Sequence, residues 1–344
     1  MKNLKKKWLI AIIIFFSVSF LVLFIINFYN AYEVSSLNYP IGNKDLSLKA
    51  LKEKGLPFSF LVMGDTHLSH TANYLMKKAL KTGEASFMII LGDIVNKPDI
   101  RYHKLFLKTM ALDIKPSFPI FLVPGNHDID YDSKIKEKYR VSSKVYEKLY
   151  GAMNFDFVFD ECLFIICGID PKNPKEYLNY LQNTLSNNWR GKRYIFLFIH
   201  HPPGMIGAGS FPLPNEEGFF NLLNEYPITG CFFGDYHTYW RGQWRGKNLI
   251  VSGGGGGRLK NYQPLWGKFH HVMKITVDHD LITENIIISE GEGIALFWRL
   301  KKFLVINLFP LLDGRLWIGY ILAIIFLSCG IYSILMVIYK TKKG

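Results

Sequence analysis

Metal-binding side chains follow apolar runs at five places in the sequence. Carboxylate, imidazole and amide groups are the side chains that ligate divalent cations. Each motif alone is weak, because Gly-Asp pairs often form turns and an isolated histidine is usually structural. Together, and in this order, they predict a single metal site. The motifs are LVMGDTH with Asp65 and His67, IILGDIVN with Asp93, FLVPGNHD with Asn126, His127 and Asp128, FLFIHHPP with His200 and His201, and CFFGDYH with Asp235 and His237.

The apolar runs before these motifs predict the elements that position them. They are short, rich in Phe, Ile and Val, and end in turn residues, which is typical of buried strands. The run TANYLMKKALKTG predicts a helix, with Thr71 as a cap and Gly83 as its stop. The strand–helix–strand order predicts an α/β sheet with parallel pairs, and later strands add antiparallel pairing. Loops at the carboxyl ends of such strands converge on one crevice. Five adjacent glycines at 253–257 indicate backbone that passes close to another group.

The five motifs resemble the pattern of the calcineurin-like metallophosphoesterases. That pattern is Asp-x-His, Gly-Asp, Gly-Asn-His-Asp or -Glu, His, and Gly-His-x-His, and it covers about residues 58–256 here. The resemblance implies an α/β fold: a β-sandwich of two mixed sheets flanked by helices, with two metal ions at one edge.

The resemblance also implies a role for each matching residue. His127 is the histidine that faces the phosphate without binding metal, and Asp128 is a candidate to hold its imidazole in the right tautomer. His201 is the less favoured ligand, because the family's His-x-Pro spacing fits His200 with Pro202. The expected ligands are Asp65, His67 and His237 for the first metal, Asn126 and His200 for the second, and Asp93 as the carboxylate between them.

Asp235 departs from the family pattern, which has histidine at that place. Three interpretations stay open: Asp235 is a direct ligand of the second metal, it acts through a bridging water, or the second site is weak. A carboxylate adds negative charge and favours harder ions, so Mn or Fe is expected over Zn. His237 keeps the expected position.

The expected activity is hydrolysis of phosphate esters by attack of a metal-bound hydroxide. Asn96 and Lys97 stand where protein Ser/Thr phosphatases carry Asp and Arg, which argues against that branch. Lipid-linked phosphoesters are the preferred substrate, and soluble monoesters or nucleotides are the enzymatic alternative. A non-catalytic scaffold or sensor that binds metal or phosphate is the other function considered. The net charge of +13 comes without a basic stripe interleaved with aromatic residues, so nucleic acid is not an expected partner.

Two uncharged runs, 8–32 and 316–339, predict transmembrane helices, since about 20 apolar residues cross a bilayer. A signal peptide and a buried helix are the alternatives. Lysines beyond both runs predict that both termini are cytoplasmic, with the catalytic domain outside the cytoplasm. The expected division is a tail 1–7, a helix 8–32, a linker 33–57, a metallophosphoesterase domain 58–290, an interfacial segment 291–315, a helix 316–339 and a tail 340–344.

Overall fold

The structure, a computed structural model, describes residues 2–31, 39–82, 85–207, 212–260, 267–289, 295–308 and 316–342. It divides into two units, one of Met1–Glu33 with Arg299–Gly344 and one of Val34–Trp298. All five ligand motifs lie in the second unit. The limits of the predicted 58–290 domain stay a prediction, and parts of the linker 33–57 and the interfacial segment 291–315 lie outside the described residues, as does Gly83.

The strands of the second unit form two mixed sheets, which confirms the expected sandwich architecture. One sheet has the order β11-β10-β1-β2-β3, and the other β4-β5-β6-β7-β9-β8. The strands are β1 Phe58–Met63, β2 Phe87–Ile90, β3 Ile120–Leu122, β4 Phe155–Phe159, β5 Cys162–Cys167, β6 Tyr194–Ile199, β7 Gly230–Phe233, β8 Tyr239–Trp244, β9 Lys247–Ser252, β10 His271–Val277 and β11 Ile282–Ile288.

Parallel pairing joins the strands that end in ligand motifs. Strand β2 pairs in parallel with both β1 and β3, and β6 pairs in parallel with both β5 and β7. Antiparallel pairs lie toward the edges: β10 with β1 and β11, β4 with β5, and β8 with β9. The carboxyl ends of the parallel strands in each sheet therefore lie at one edge of that sheet.

Helices flank the sheets, and their local sequence accounts for their ends. Helix α3 begins after Ser69, whose extended backbone and side chain, which accepts the Ala72 N–H, make it the N-cap in place of the predicted Thr71. Helix α4 continues into a π-helical turn at Thr109–Ile114. The helices are α1 Lys2–Ala31, α2 Asp45–Ala50, α3 His70–Lys81, α4 Ile100–Lys108, α5 Ser143–Tyr150, α6 Glu176–Asn188, α7 Glu216–Glu225, α8 Leu296–Phe303 and α9 Leu316–Lys342.

Phenylalanine fills the space between the two sheets. Phe60 of the first sheet stacks on Phe87 at 5.3 Å between ring centroids, and it meets Phe164 of the second sheet edge-on at 5.3 Å. Such aromatic pairs add about 0.5–1.5 kcal/mol each beyond the area they bury. A second apolar layer, which includes Leu181 of α6 and Leu223 of α7, covers the outer face of the second sheet. The sheets are thus held rigidly enough to fix loops at their edge.

The prediction of two transmembrane helices is wrong. Throughout the part of the chain that the structure describes, no helix has both the length and the apolar character needed to cross a bilayer. The two runs do form helices, α1 and α9, and these pack on each other, with the rings of Phe16 and Phe326 5.6 Å apart. An uncharged run therefore does not by itself establish a span. The localisation that rested on these spans, cytoplasmic termini with an extracytoplasmic domain, is withdrawn with them.

Candidate metal centre

Four of the expected ligands form one group at the sheet edge. The candidate ligand atoms of Asp65, His67, Asp93 and His237 all lie within 4.8 Å of one another, and all four residues are buried. His67 Nε2 lies 3.6 Å from Asp93 Oδ2, and His237 Nε2 lies 3.3 Å from Asp65 Oδ1. The group therefore offers two carboxylates and two imidazoles at the spacing of a metal site.

A second group lies beside the first and also reaches Asp93. The ligand atoms of His200, His201 and Asp235 fall within 4.8 Å of one another. His200 Nε2 lies 3.1 Å from Asn126 Oδ1 and 3.5 Å from Asp93 Oδ1. The two oxygens of Asp93 thus point to different groups. His201, which the sequence disfavoured as a ligand, is brought in beside Asp235.

Both groups fit divalent cations. Asp65 is fully buried, and apart from the approach of His237 Nε2 to within 3.3 Å of Oδ1, its oxygens have no hydrogen-bond partner within the described residues. His67 and His237 face each other with their Nε2 atoms 3.1 Å apart. A buried carboxylate with so few partners is costly, and a cation beside it would offset that cost. The mixed oxygen and nitrogen donors are a set that divalent ions accept.

Backbone carbonyls fix which ring nitrogen faces the centre. His200 Nδ1 lies 2.6 Å from Leu91 O, and His237 Nδ1 lies 2.8 Å from Arg258 O. In each ring Nδ1–H donates to the carbonyl, which leaves Nε2 as the ligand atom. His127 is held in the same manner, with Nδ1 2.9 Å from Asn96 O and Nε2 3.9 Å from Asp93 Oδ2.

Asp128 does not orient His127, which corrects the expected pairing. Its buried carboxylate accepts the backbone N–H groups of Asp93 and Gly125, each at 2.9 Å, and of Val95 at 3.3 Å. It therefore joins the Asp93 loop to the Asn126–His127 loop. Its role is to position metal ligands, and it does not set the tautomer of His127. Burial raises the pKa of Asp128 well above its usual value, and the charge of Asp93 adds to this effect.

The site shifts the pKa values of its histidines in opposite directions. Burial lowers the pKa of His200, but the charges of Asp93, Asp65 and Asp235 outweigh burial and raise it to about 9. Burial lowers the pKa of His67 to about 4 against the opposing charges of Asp93 and Asp65. A proton and a cation compete for His200 Nε2, so metal binding there releases a proton.

Five of the seven expected ligands share an unusual backbone conformation. Their φ angles are positive, which places them in the left-handed region just after their strands. The residues and their φ angles are Asp65 at 56°, His67 at 46°, Asp93 at 52°, Asp235 at 60° and His237 at 47°.

The glycine run at 253–257 passes directly beneath the first group. Gly257 N–H donates to Asp65 O at 2.7 Å. A Cβ on Gly257 would lie 2.6 Å from His67 Cδ2, and one on Gly253 would lie 2.7 Å from Asp65 Oδ2. The glycine run predicted that the backbone passes close to another group, which the sequence did not identify. The structure shows that this group is the ligands Asp65 and His67.

Comparisons with known proteins agree with this arrangement. The sequence profile of the calcineurin-like phosphoesterase family matches residues 58–239. A protein named probable glycerophosphodiester phosphodiesterase GpdQ, from Arcobacter nitrofigilis, is 28% identical over 152 residues, which are 40% of this chain and 51% of that protein. The fold is similar to purple acid phosphatase PPD1 from yellow lupin (Lupinus luteus) seeds, with 14% identity and a TM-score of 0.53 over 70% of this chain and 53% of that one. The chain spans about half the length of both proteins.

Proposed function

The chain belongs to the calcineurin-like phosphoesterase family, and on that premise we propose that it is a dinuclear-metal enzyme that hydrolyses small phosphodiesters. The family confirms the expected enzyme class, a metal-dependent hydrolase of phosphoric esters. The observation on which the proposal depends is that Asp93 reaches both ligand groups through different oxygens. A shared carboxylate is what two adjacent cations need to be held at a fixed separation.

Each ligand has a part in the proposed site. When bound, a pair of divalent ions polarises the phosphoryl group and activates water at neutral pH. Asp65, His67 and His237 would hold the first ion, Asn126, His200 and Asp235 would hold the second, and Asp93 would serve both. The oxygen-rich donor set supports Mn or Fe over Zn.

His127 is proposed as the proton donor to the leaving oxygen. Its side chain is 45% exposed, so an ester can reach it, whereas the ligands beside it are buried. The Asn96 carbonyl accepts Nδ1–H and directs Nε2 toward the Asp93 side of the site, so the proton given to the leaving oxygen is the second ring proton, on Nε2 of the imidazolium form. General acid catalysis of this kind is typically worth 10²–10⁴-fold.

The proposed substrate class comes from the named relative. GpdQ is described as a probable glycerophosphodiester phosphodiesterase. On that basis the proposed substrate of this chain is a small glycerol-linked phosphodiester. Lipid-linked esters, the substrate expected from the sequence, contain the same phosphodiester unit. A panel with glycerophosphodiesters, phospholipids in detergent and nucleotide monoesters separates these classes.

A non-catalytic metal- or phosphate-binding scaffold is the second candidate, because Asp235 replaces the family's histidine. The deciding experiment measures metal content and hydrolysis of bis(p-nitrophenyl) phosphate with Mn²⁺. Wild type and D132N, which removes a carboxylate that is 63% exposed, should turn over equally, whereas D93N should lose at least one ion and most activity. Folded, metal-loaded wild type that hydrolyses no ester on the panel would establish the scaffold.

A further inference from the structure

We propose that Arg258 binds the phosphoryl oxygens of the substrate and supplies the positive charge that offsets the extra carboxylate of this site. The inference rests on the proposed function, because it names a substrate-binding residue of the same site. Arg258 lies outside the five motifs and follows directly on the glycine run. Three observations support its role: the place of its backbone, the state of its guanidinium and the charge of the ligand set.

The segment from Gly257 to Lys260 is fixed against the first ligand group. Gly257 N–H donates to Asp65 O at 2.7 Å. Arg258 O accepts Nδ1–H of His237 at 2.8 Å, and Lys260 N–H donates to His237 O at 3.3 Å. Of the residues in this segment, Arg258 alone is exposed. Its backbone is therefore held at the rim of the site, and its long side chain is free to turn toward a bound ester.

The guanidinium of Arg258 is available for an anion. Within the described residues it forms no hydrogen bond, ion pair or ring contact. Every other arginine in the Val34–Trp298 unit has such a partner. A guanidinium presents five N–H donors in a planar fork that matches two oxygens of a phosphoryl group. The partners of the other arginines are Asp99 for Arg101, Asp130 and Glu137 for Arg140, Trp189 for Arg190, Glu161 for Arg193, Glu284 for Arg241, and Asn224 and Trp244 for Arg245.

The charge of the ligand set gives an additional cation a role. Asp65, Asp93 and Asp235 bring three carboxylates to the two ligand groups. Two divalent ions (+4) and three carboxylates (−3) sum to +1, whereas a neutral imidazole at position 235 would leave +2. With the guanidinium of Arg258 the sum is again +2. Fixed positive charge of this kind, from arginine and metal ions together, is what holds the oxygens of a phosphoryl group during its transfer.

The other interpretation is that Arg258 is a solvated surface residue of which only the backbone matters. Arg245 is the matched control, because it is also an exposed arginine and lies in the turn between β8 and β9. The six residues of β9 separate that turn from the glycine run, which is about 20 Å along the strand. A change that merely removes one positive charge from the surface should have the same effect at either position.

The test compares wild type with R258M, R258K and R245M, all loaded with Mn²⁺. Calorimetry measures the Kd of inorganic phosphate, elemental analysis measures bound metal, and steady-state kinetics with bis(p-nitrophenyl) phosphate separates KM from kcat. We expect R258M to raise the phosphate Kd and KM about tenfold with metal content unchanged, because a charge-assisted bidentate contact is lost. R258K keeps the charge without the fork and should lose about threefold, and R245M should match wild type.

The dependence on salt is a readout that a purely structural role would not change. The phosphate affinity of wild type should fall as NaCl is added, and that of R258M should fall less steeply, because one charged contact is missing. An unchanged phosphate Kd in R258M, an equal loss in R245M, or loss of metal from R258M would overturn the proposal. If R258M fails to fold, R258Q is judged by the same criteria.

The proposed hydrolysis and the role of Arg258 can fail separately. Phosphate binding that depends on Arg258 in a protein without turnover would refute the hydrolysis and leave this inference standing. Turnover with a phosphate Kd and KM that R258M does not change would refute only the role of Arg258.

Discussion

Replacement of Gly257 by alanine should damage the metal centre without touching a ligand. A Cβ there would lie 2.6 Å from His67 Cδ2 and 2.9 Å from His237 Cε1. Ordinary van der Waals contact begins at 3.4 Å, so the His67 ring must move by about 0.8 Å (3.4 − 2.6). Metal–ligand distances tolerate only about 0.2 Å. The first ligand group therefore cannot keep its geometry.

We expect G257A to bind Mn²⁺ about 10–100-fold more weakly, as changes around metal ligands typically do. Overpacking should also lower the free energy of unfolding by about 1–3 kcal/mol. The control is G230A, because a Cβ on Gly230 meets its nearest neighbour at 3.7 Å. Calorimetric metal titration and urea unfolding of both variants measure the two effects.

Two results would count against this reasoning. If G257A binds Mn²⁺ as wild type does, the glycine is not required by the ligands. If G230A and G257A lose the same metal affinity, the effect comes from general destabilisation of the fold.

Further predictions concern the proton donor, the buried carboxylate, a buried histidine and the metals. H127Q should lower kcat by about 10²–10⁴-fold with little change in metal content, measured by steady-state kinetics and elemental analysis; an unchanged kcat would remove His127 from the mechanism. D128N leaves backbone N–H groups of the Asp93 loop short of an acceptor, so it should cost about 1–3 kcal/mol in urea unfolding. His271 is fully buried, and burial lowers its pKa from 6.5 to about 4. The unfolded chain therefore binds a proton that the folded chain does not, and about 3 kcal/mol of stability should be lost as the pH falls from 6.5 to 4. H271Q should flatten that slope in unfolding titrations, and an equally steep slope would contradict the assignment. Chelation with EDTA should lower the melting temperature, because an ion at 100 times its Kd stabilises by about 2.7 kcal/mol; an unchanged melting temperature would argue against a metal bound at the buried carboxylates.

The strand ends that carry the site could be predicted from the sequence because their signal is local. An apolar run that stops at Gly-Asp marks the end of a buried strand, as at Asp65, Asp93 and Asp235. Parallel pairing then brings those ends together, so the clustering of ligands followed from these residues, whereas the two-sheet architecture was expected only from the resemblance to the phosphoesterase family.

The errors concern contacts between distant parts of the chain. Two of the three N–H groups that Asp128 accepts, those of Asp93 and Val95, lie more than 30 residues away, and nothing in the local motif predicts them. The neighbour of the glycine run is equally remote in sequence. The apolar runs at both ends predicted spans from composition alone, and within the described residues the helices that they form lack the length and apolar character that a span requires.

The left-handed backbone at five of the ligand positions limits which amino acids those positions can accept. Aspartate, asparagine and histidine tolerate that conformation better than most residues, whereas β-branched side chains do not. Glutamate and cysteine, equally good metal ligands, lack the same tolerance. At position 235, where φ is 60°, exchange between histidine and aspartate keeps the turn intact. At these positions the main chain therefore restricts substitution to a few metal-binding residues. Such substitutions change the charge of the centre and the ion that it prefers, and they leave the backbone as it is.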